Sequence, residues 1–138
     1  MSSYIPEALR KQVIERANFC CEYCLLHQDD GLYKHEVDHI IPEKHCGTTA
    51  EGNLCLACFE CNRYKGTDFA SFDPNTGNIT TLYNPREDDW ESHFRLNKVT
   101  ITPRTAKGRV TVFVLKLNEP IRFRARQALS ISGRYPLK

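Results

Sequence analysis

Two Cys-x-x-Cys pairs, Cys21/Cys24 and Cys58/Cys61, constrain the fold of this 138-residue chain more than any other feature. Four thiolates are the usual ligands of a tetrahedral structural Zn²⁺ site, and four protein ligands leave no position open for catalysis. Since Cys24 and Cys58 lie 34 positions apart, one zinc ion would fasten the two ends of an intervening structure. The alternative is four free buried thiols, which this spacing disfavours in a reducing compartment.

Three further cysteines, Cys20, Cys46 and Cys55, belong to neither pair. We expect each of them to be a buried or incidental thiol. Cys20 competes as a zinc ligand because it adjoins Cys21.

The composition is that of a folded globular protein, with 41% hydrophobic and 26% charged residues. A chain of this length suggests one domain. No apolar run approaches the ~18 residues of a membrane span, and residues 1–17 lack the apolar core of a signal peptide. We therefore expect a cytoplasmic protein with no membrane partner and no small-molecule cofactor.

Charged residues are distributed unevenly along the chain. Residues 1–68 hold 7 basic and 11 acidic residues, whereas residues 69–138 hold 12 and 6. Within residues 101–138 there are nine basic residues and one acid, Glu119. This predicts an acidic core, 1–68, that holds cations, and a basic extension, 69–138, that packs on the core in the same domain and holds a polyanion. A basic surface that only maintains solubility is the equal alternative on charge alone.

The hydrophobic pattern predicts a mixture of helices and strands, which is an α+β fold. We expect a helix at 6–17, strands at 33–41 and 53–57, and a short helix at 59–65 that ends at Gly66. In the extension we expect a turn at 73–77, strands at 79–83 and 98–102, and a helical turn at 88–94. Residues 109–117 and 121–126 fit both a helix and a strand, and we favour the helix.

Three stretches in this region, VDHIIP, EGNL and CLACFECNRYKG, resemble the HNH endonucleases of the ββα-metal class. The preceding ERANFCCEYC resembles the subgroup with a four-cysteine zinc site, and the likeness covers about residues 10–67. The resemblance implies a zinc-stapled ββα-metal nuclease core with a C-terminal α/β extension. The segments 84–94 and 102–118 resemble a tail found on some bacterial HNH proteins.

The resemblance also implies roles for individual residues. His39 matches the general base, Asp38 a ligand of the catalytic divalent metal, and Asn53 the residue that holds the ββα loop. Asn62 stands at the final motif position, often His, and matches the second protein ligand of that metal. A neutral amide oxygen suits Mg²⁺ or Mn²⁺ better than Zn²⁺. The zinc ligands of the subgroup match Cys21, Cys24, Cys58 and Cys61.

Two local features stand out against that pattern. Successive strand residues point to opposite faces, so Asp38 and His39 need a local irregularity to serve one site. Many relatives have two glycines where this chain has Cys46 and Gly47, which we expect to alter the loop and not the chemistry.

The predicted activity is metal-dependent hydrolysis of phosphodiester bonds in duplex DNA. Just after Asn62, Arg63 and Lys65 are candidates for flanking phosphates, with a solvated helix face as the equal alternative. Non-specific contacts to the duplex backbone are assigned to Arg122, Arg124 and Arg126.

Two other functions stay open from the sequence. One is a non-catalytic zinc-binding module that contacts nucleic acid or protein, although such a module needs none of Asp38, His39, Asn53 and Asn62. The other is a nuclease directed at RNA. The sequence predicts neither the oligomeric state nor the cleavage specificity.

Overall fold

The computed structural model describes residues 4–137, in which helices alternate with three two-stranded antiparallel sheets. This is the α+β fold that the sequence predicts. None of the helices in these residues is long and apolar enough to cross a membrane. In chain order the elements are α1 (Glu7–Arg16), β1 (Glu36–His39), β2 (Leu54–Ala57), α2 (Phe59–Lys65), β3 (Ala70–Phe72), β4 (Ile79–Thr81), α3 (Trp90–His93), β5 (Phe94–Asn97), β6 (Thr100–Pro103), α4 (Ala106–Val114) and α5 (Pro120–Ile131).

The unit β1–loop–β2–α2 is the strand–loop–strand–helix predicted between the cysteine pairs. β1 pairs antiparallel with β2, and Asp38 lies opposite Cys55. β1 is shorter than the predicted strand at 33–41 because β2 offers only four partners before Cys58 caps α2. Beyond His39, the Ile40 amide donates to the Asn53 carbonyl oxygen instead (2.8 Å).

Every residue of β2 is buried, because both faces of the β1–β2 hairpin are covered. Leu54 and Leu56 pack with Val13 of α1 and with Ile5, two positions before that helix. Cys55 and Ala57 point to the opposite face and join the larger core. Double burial explains why β2 reads as a continuous apolar run instead of an alternating pattern.

The larger core combines residues from both sides of position 68. Tyr23 and Cys55 share it with Phe94, Ile101 and Val110. The division of the chain at residue 68 stays a prediction.

Both ambiguous segments of the extension are helical, as favoured from the sequence: they form most of α4 and the first half of α5. The predicted strand at 98–102 is β6, shifted by two residues at its start. The sequence pattern missed β5, which pairs with β6 through a tight turn where Lys98 has φ 59°.

Candidate active site and metal centre

The four paired cysteines converge at one buried cluster. The Sγ atoms of Cys21, Cys24, Cys58 and Cys61 all lie within 4.8 Å of one another, and the Cys24 and Cys58 Sγ atoms are 3.6 Å apart. A tetrahedral ion with metal–sulfur bonds of about 2.3 Å would separate its sulfurs by about 3.8 Å. The cluster therefore fits a structural metal ion, and the spacing predicts its membership correctly.

Local backbone geometry builds both halves of this cluster. In the first half, the Cys24 amide lies 3.5 Å from Cys21 Sγ, and Leu25 turns the chain with φ 70°. In the second half, Cys58 caps α2 and accepts a hydrogen bond from the Cys61 amide at 3.4 Å. Amide donors aimed at sulfur favour thiolates, which are the form that binds metal.

Burial opposes the ionisation of two of these thiols. Burial raises the pKa of the Cys21 thiol and of the Cys61 thiol well above the ordinary value. Hydrogen bonding to Cys21 and the other two cysteines instead lowers the pKa of the Cys24 thiol. A bound metal ion would compensate the charge of all four thiolates together. The cluster therefore has the donor set and the burial of a metal site.

The remaining cysteines lie outside the cluster, in keeping with their expected incidental role. Cys55 is buried in β2, where burial raises its pKa to about 12. Cys46 is exposed, and Cys20 is half-buried.

A second centre is an open cleft of about 390 Å³ at the other end of the β1–β2–α2 unit. Asp38, His39 and Asn62 all line it. Asp38 and His39 are both paired in the β1–β2 ladder, opposite Cys55 and Leu54, and the chain bends only at Ile40. The structure thus brings three of the predicted site residues to one concave surface.

The Asp38 carboxylate is held from within the protein. Lys65, with 1% of its side chain exposed, lies with Nζ 3.0 Å from Asp38 Oδ2 and donates to the His39 carbonyl oxygen at 3.0 Å. Oδ2 is a buried oxygen at ion-pair distance that makes no hydrogen bond. Burial raises the pKa of Asp38, and the Lys65 charge opposes that rise. The cation defined next to this carboxylate is therefore the Lys65 ammonium, and carboxylate oxygens are also ligands that hard divalent ions accept.

The position of Lys65 corrects one prediction from the sequence. Lys65 was expected to contact phosphate, but its ammonium is buried against Asp38 and the His39 carbonyl oxygen. Arg63, its neighbour on α2, is exposed as that role requires.

The His39 ring has one defined partner. Its Nε2 lies 2.9 Å from Thr49 Oγ1, and the residue is 9% exposed. Sequence reasoning did not single out Thr49. The available signal is a pair of hydroxyl residues, Thr48 and Thr49, in the loop between the two strands that hold His39 and Asn53.

Asn53 joins the two ends of the loop between β1 and β2. Its Nδ2 donates to the carbonyl oxygens of Ile41 and Thr48, both at 2.9 Å, and its Oδ1 accepts from the Ile41 amide at 2.9 Å. Gly47 lies so close that a Cβ there would sit 1.6 Å from the Ile41 carbonyl oxygen. Cys46 has φ 69°, a region that glycine occupies without strain. Of these two positions, the loop therefore leaves no room for a side chain at position 47, which is the one where this chain has glycine.

The three arginines of α5 do not form one surface. Arg122 and Arg126, one helical turn apart, are buried at 7% and 3% exposure. Arg122 contacts the Cys61 sulfur, and Arg126 donates to backbone carbonyl oxygens. The prediction that these two hold a DNA backbone is wrong, because their guanidinium groups point into the protein. Only Arg124 among the three is exposed.

Most of the basic surplus of residues 101–138 has internal partners. Besides Arg122 and Arg126, three basic residues of this stretch form ion pairs with acids elsewhere, and these pairs are Lys107–Asp88, Arg109–Asp73 and Arg134–Asp30. The charge count from the sequence therefore overstates the positive surface of the extension.

Two other basic residues lie at the cleft itself. Arg10 of α1 and Lys44, in the loop after β1, are exposed and line the same cleft as Asp38 and His39. Sequence reasoning missed both, because neither is near the motif residues in a recognisable pattern. Their positive charge offsets the acids of the cleft wall.

The HNH endonuclease family model matches residues 21–68, a segment that contains both cysteine pairs and the whole β1–β2–α2 unit. Residues 21–68, less than half of the chain, are thus similar to the HNH endonucleases.

The Septu protein PtuB of Bacillus thuringiensis is 27% identical to this chain over 113 residues. The alignment covers 80% of this chain and 41% of PtuB, so the chain spans less than half the length of that relative. No solved structure matches the chain. The likeness to PtuB extends beyond the HNH segment into the extension, because 113 residues cannot fit within positions 21–68.

Proposed function

We propose that this protein is a metal-dependent HNH endonuclease that hydrolyses phosphodiester bonds in duplex DNA. The observation that carries the proposal is the convergence of Asp38, His39 and Asn62 on one cleft of an HNH segment. A carboxylate, an imidazole and a carboxamide together provide a base and oxygen ligands for a hard cation.

His39 acts as the general base. We assign Nε2, which lies 2.9 Å from Thr49 Oγ1, as the donor in that contact. Nδ1 then keeps the lone pair that accepts a proton from the attacking water. Burial and the Thr49 contact restrict the ring, so the base stays in one orientation. Asn53 does no chemistry itself, but its three hydrogen bonds fix the loop that carries Thr49.

Asp38 and Asn62 hold the catalytic Mg²⁺ or Mn²⁺. Such an ion neutralises charge that develops on the phosphate and the leaving oxygen. Lys65 keeps Asp38 in place, and its positive charge favours the ionised carboxylate. Arg10 and Lys44 bind phosphates that flank the scissile bond, and Arg63 and Arg124 provide further contacts from exposed positions.

Zn²⁺ occupies the four-cysteine cluster as a structural ion. The four thiolates close its coordination sphere, so they hold the ends of the HNH segment together and take no part in hydrolysis.

A plasmid-nicking assay with Mg²⁺, Mn²⁺ or EDTA, run on wild-type protein and on His39→Ala, tests the proposal. We expect cleavage with either ion, none with EDTA, and none by His39→Ala despite normal DNA binding. His45→Ala, an exposed imidazole in the adjoining loop, is the matched control and should cut normally.

Three outcomes would count against the proposal. Wild-type-like nicking by His39→Ala would show that His39 is not the general base. Cleavage of an RNA hairpin in preference to the plasmid would reassign the substrate. Nucleic-acid binding by zinc-loaded protein with no cleavage under any condition would favour the binding module.

A further inference from the structure

Arg122 is a buried cation without a carboxylate partner among the described residues 4–137. Its Nη2 lies 3.0 Å from Cys61 Sγ and 3.7 Å from Cys58 Sγ. Its Nη1 donates to the backbone carbonyl oxygens of Leu115 (2.6 Å) and Lys116 (3.2 Å). Every defined contact of the guanidinium is therefore to a sulfur or a backbone carbonyl oxygen.

A buried charge without compensation is costly, and carbonyl dipoles compensate a guanidinium only in part. Neutral thiols would not do so either. Four thiolates around Zn²⁺ carry a net charge of about −2, so a zinc-loaded cluster is the counter-charge that the burial of Arg122 requires. The zinc-loaded cluster is itself a buried anionic centre, and a neighbouring cation such as the Arg122 guanidinium stabilises it.

The surrounding contacts keep this guanidinium in place. Arg126, one turn further along α5, fills the neighbouring space and donates to Val99 and Leu117 carbonyl oxygens. Beside Arg126, whose guanidinium carbon lies 5.8 Å from the Tyr135 ring centre, the Tyr135 hydroxyl donates to the Cys24 carbonyl oxygen at 2.7 Å. The C-terminal residues thus cover the sulfur cluster.

We propose that Arg122 is a positioning residue of the zinc centre, whose hydrogen bonds to Cys61 and Cys58 sulfur stabilise the thiolates and slow the loss of the metal. This inference rests on the zinc assignment proposed above and is independent of the nuclease activity. It makes helix α5 of the extension a part of the metal site of the HNH segment.

The test compares zinc release from Arg122→Met, Arg122→Lys, Arg124→Met and wild-type protein, measured with a coloured chelator under native conditions. We expect Arg122→Met to lose zinc about 10- to 100-fold faster than wild type, the range typical for hydrogen-bonding partners of metal ligands. Arg122→Lys should be intermediate, because one ammonium cannot reach both the sulfurs and the Leu115 carbonyl oxygen. Arg124→Met, an exposed site on the same helix, should match wild type.

A second measurement separates this role from simple packing. In protein loaded with Co²⁺, the sulfur-to-cobalt charge-transfer band should shift to lower energy in Arg122→Met, since a lost hydrogen bond raises the energy of the sulfur lone pairs. Arg126→Met removes an equally buried arginine with no sulfur contact within hydrogen-bond distance, so it should destabilise the fold without moving the band.

The outcomes discriminate among the proposals. Wild-type protein that binds no zinc would reject the zinc assignment. The role of Arg122 would be overturned if Arg122→Met had an unmoved band in its Co²⁺-loaded form and released zinc at the rate of Arg124→Met. Should Arg122→Met fail to fold, Arg122→Lys with the wild-type band and release rate would overturn it equally.

Discussion

Lys65 Nζ lies 3.0 Å from Asp38 Oδ2, and both groups are largely removed from solvent, at 1% and 16% side-chain exposure. The same ammonium donates to the carbonyl oxygen of His39. One lysine on α2 therefore fixes two consecutive residues at the end of β1. The proposed metal ligand and the proposed base share this support.

Lys65→Met should destabilise the protein by about 3 kcal/mol, because it leaves the Asp38 carboxylate buried without its cation. The measurement is the free energy of unfolding in urea for zinc-loaded protein. Lys65→Met combined with Asp38→Asn should recover part of this loss, since the amide carries no charge. Equal destabilisation of the single and double variants would show that packing of the lysine chain, and not the ion pair, accounts for the effect.

Gly47→Ala should disrupt the loop between β1 and β2, because the added Cβ would lie 1.6 Å from the Ile41 carbonyl oxygen. That contact can be relieved only by moving backbone, which we expect to cost about 1–3 kcal/mol and to lower nicking about 10²-fold. Gly52→Ala is the control, as its Cβ would meet nothing within 4 Å. Activity of Gly47→Ala equal to that of Gly52→Ala would mean that the loop adjusts freely.

Thr49→Val should lower the single-turnover cleavage rate about 10-fold or more by removing the hydroxyl at His39 Nε2. Thr49→Ser keeps a hydroxyl and should restore most of the rate. Thr48→Val alters an exposed neighbour whose backbone carbonyl oxygen alone contacts Asn53, and it should cut normally. If Thr49→Val and Thr49→Ser cut equally fast, the hydroxyl does not orient the base.

Arg10→Gln combined with Lys44→Gln should weaken DNA binding and flatten its salt dependence by up to about two units of log–log slope, one per lost phosphate contact. Binding titrations across a range of salt concentrations, in EDTA to prevent cleavage, provide both quantities. Lys11→Gln is the control on α1, being exposed but absent from the cleft wall. If the salt dependence of the double variant had the wild-type slope, DNA would not bind along this cleft.

The parts of the structure set by local spacing could be predicted from the sequence. The two Cys-x-x-Cys pairs predict the metal cluster because the knuckle geometry needs only neighbouring residues, such as the Cys61 amide donating to Cys58 sulfur. The end of α2 follows equally from its terminal glycine, Gly66. Helical periodicity correctly favoured α4 and α5.

The features that could not be predicted depend on contacts between residues far apart in the sequence. Arg122 lies 61 positions from Cys61, and Lys65 lies 27 positions from Asp38. Nothing local distinguishes an arginine that enters the core from Arg124, which stays in solvent two positions later. The total charge of a segment therefore predicted a DNA-binding surface that tertiary pairing mostly removes.

Helix α2 has seven residues, fewer than the ~12–15 that an isolated helix needs in water. Its first turn is ordered by Cys58 and Cys61, and the residues that follow are Asn62 and, one turn later, Lys65. The N-terminal turn of this helix thus belongs to the sulfur cluster, and the rest of the helix belongs to the cleft. If the N-terminal turn of α2 became disordered, the next turn, which carries Asn62 and Lys65, should follow. The cleft would then lose its shape before the rest of the protein unfolds.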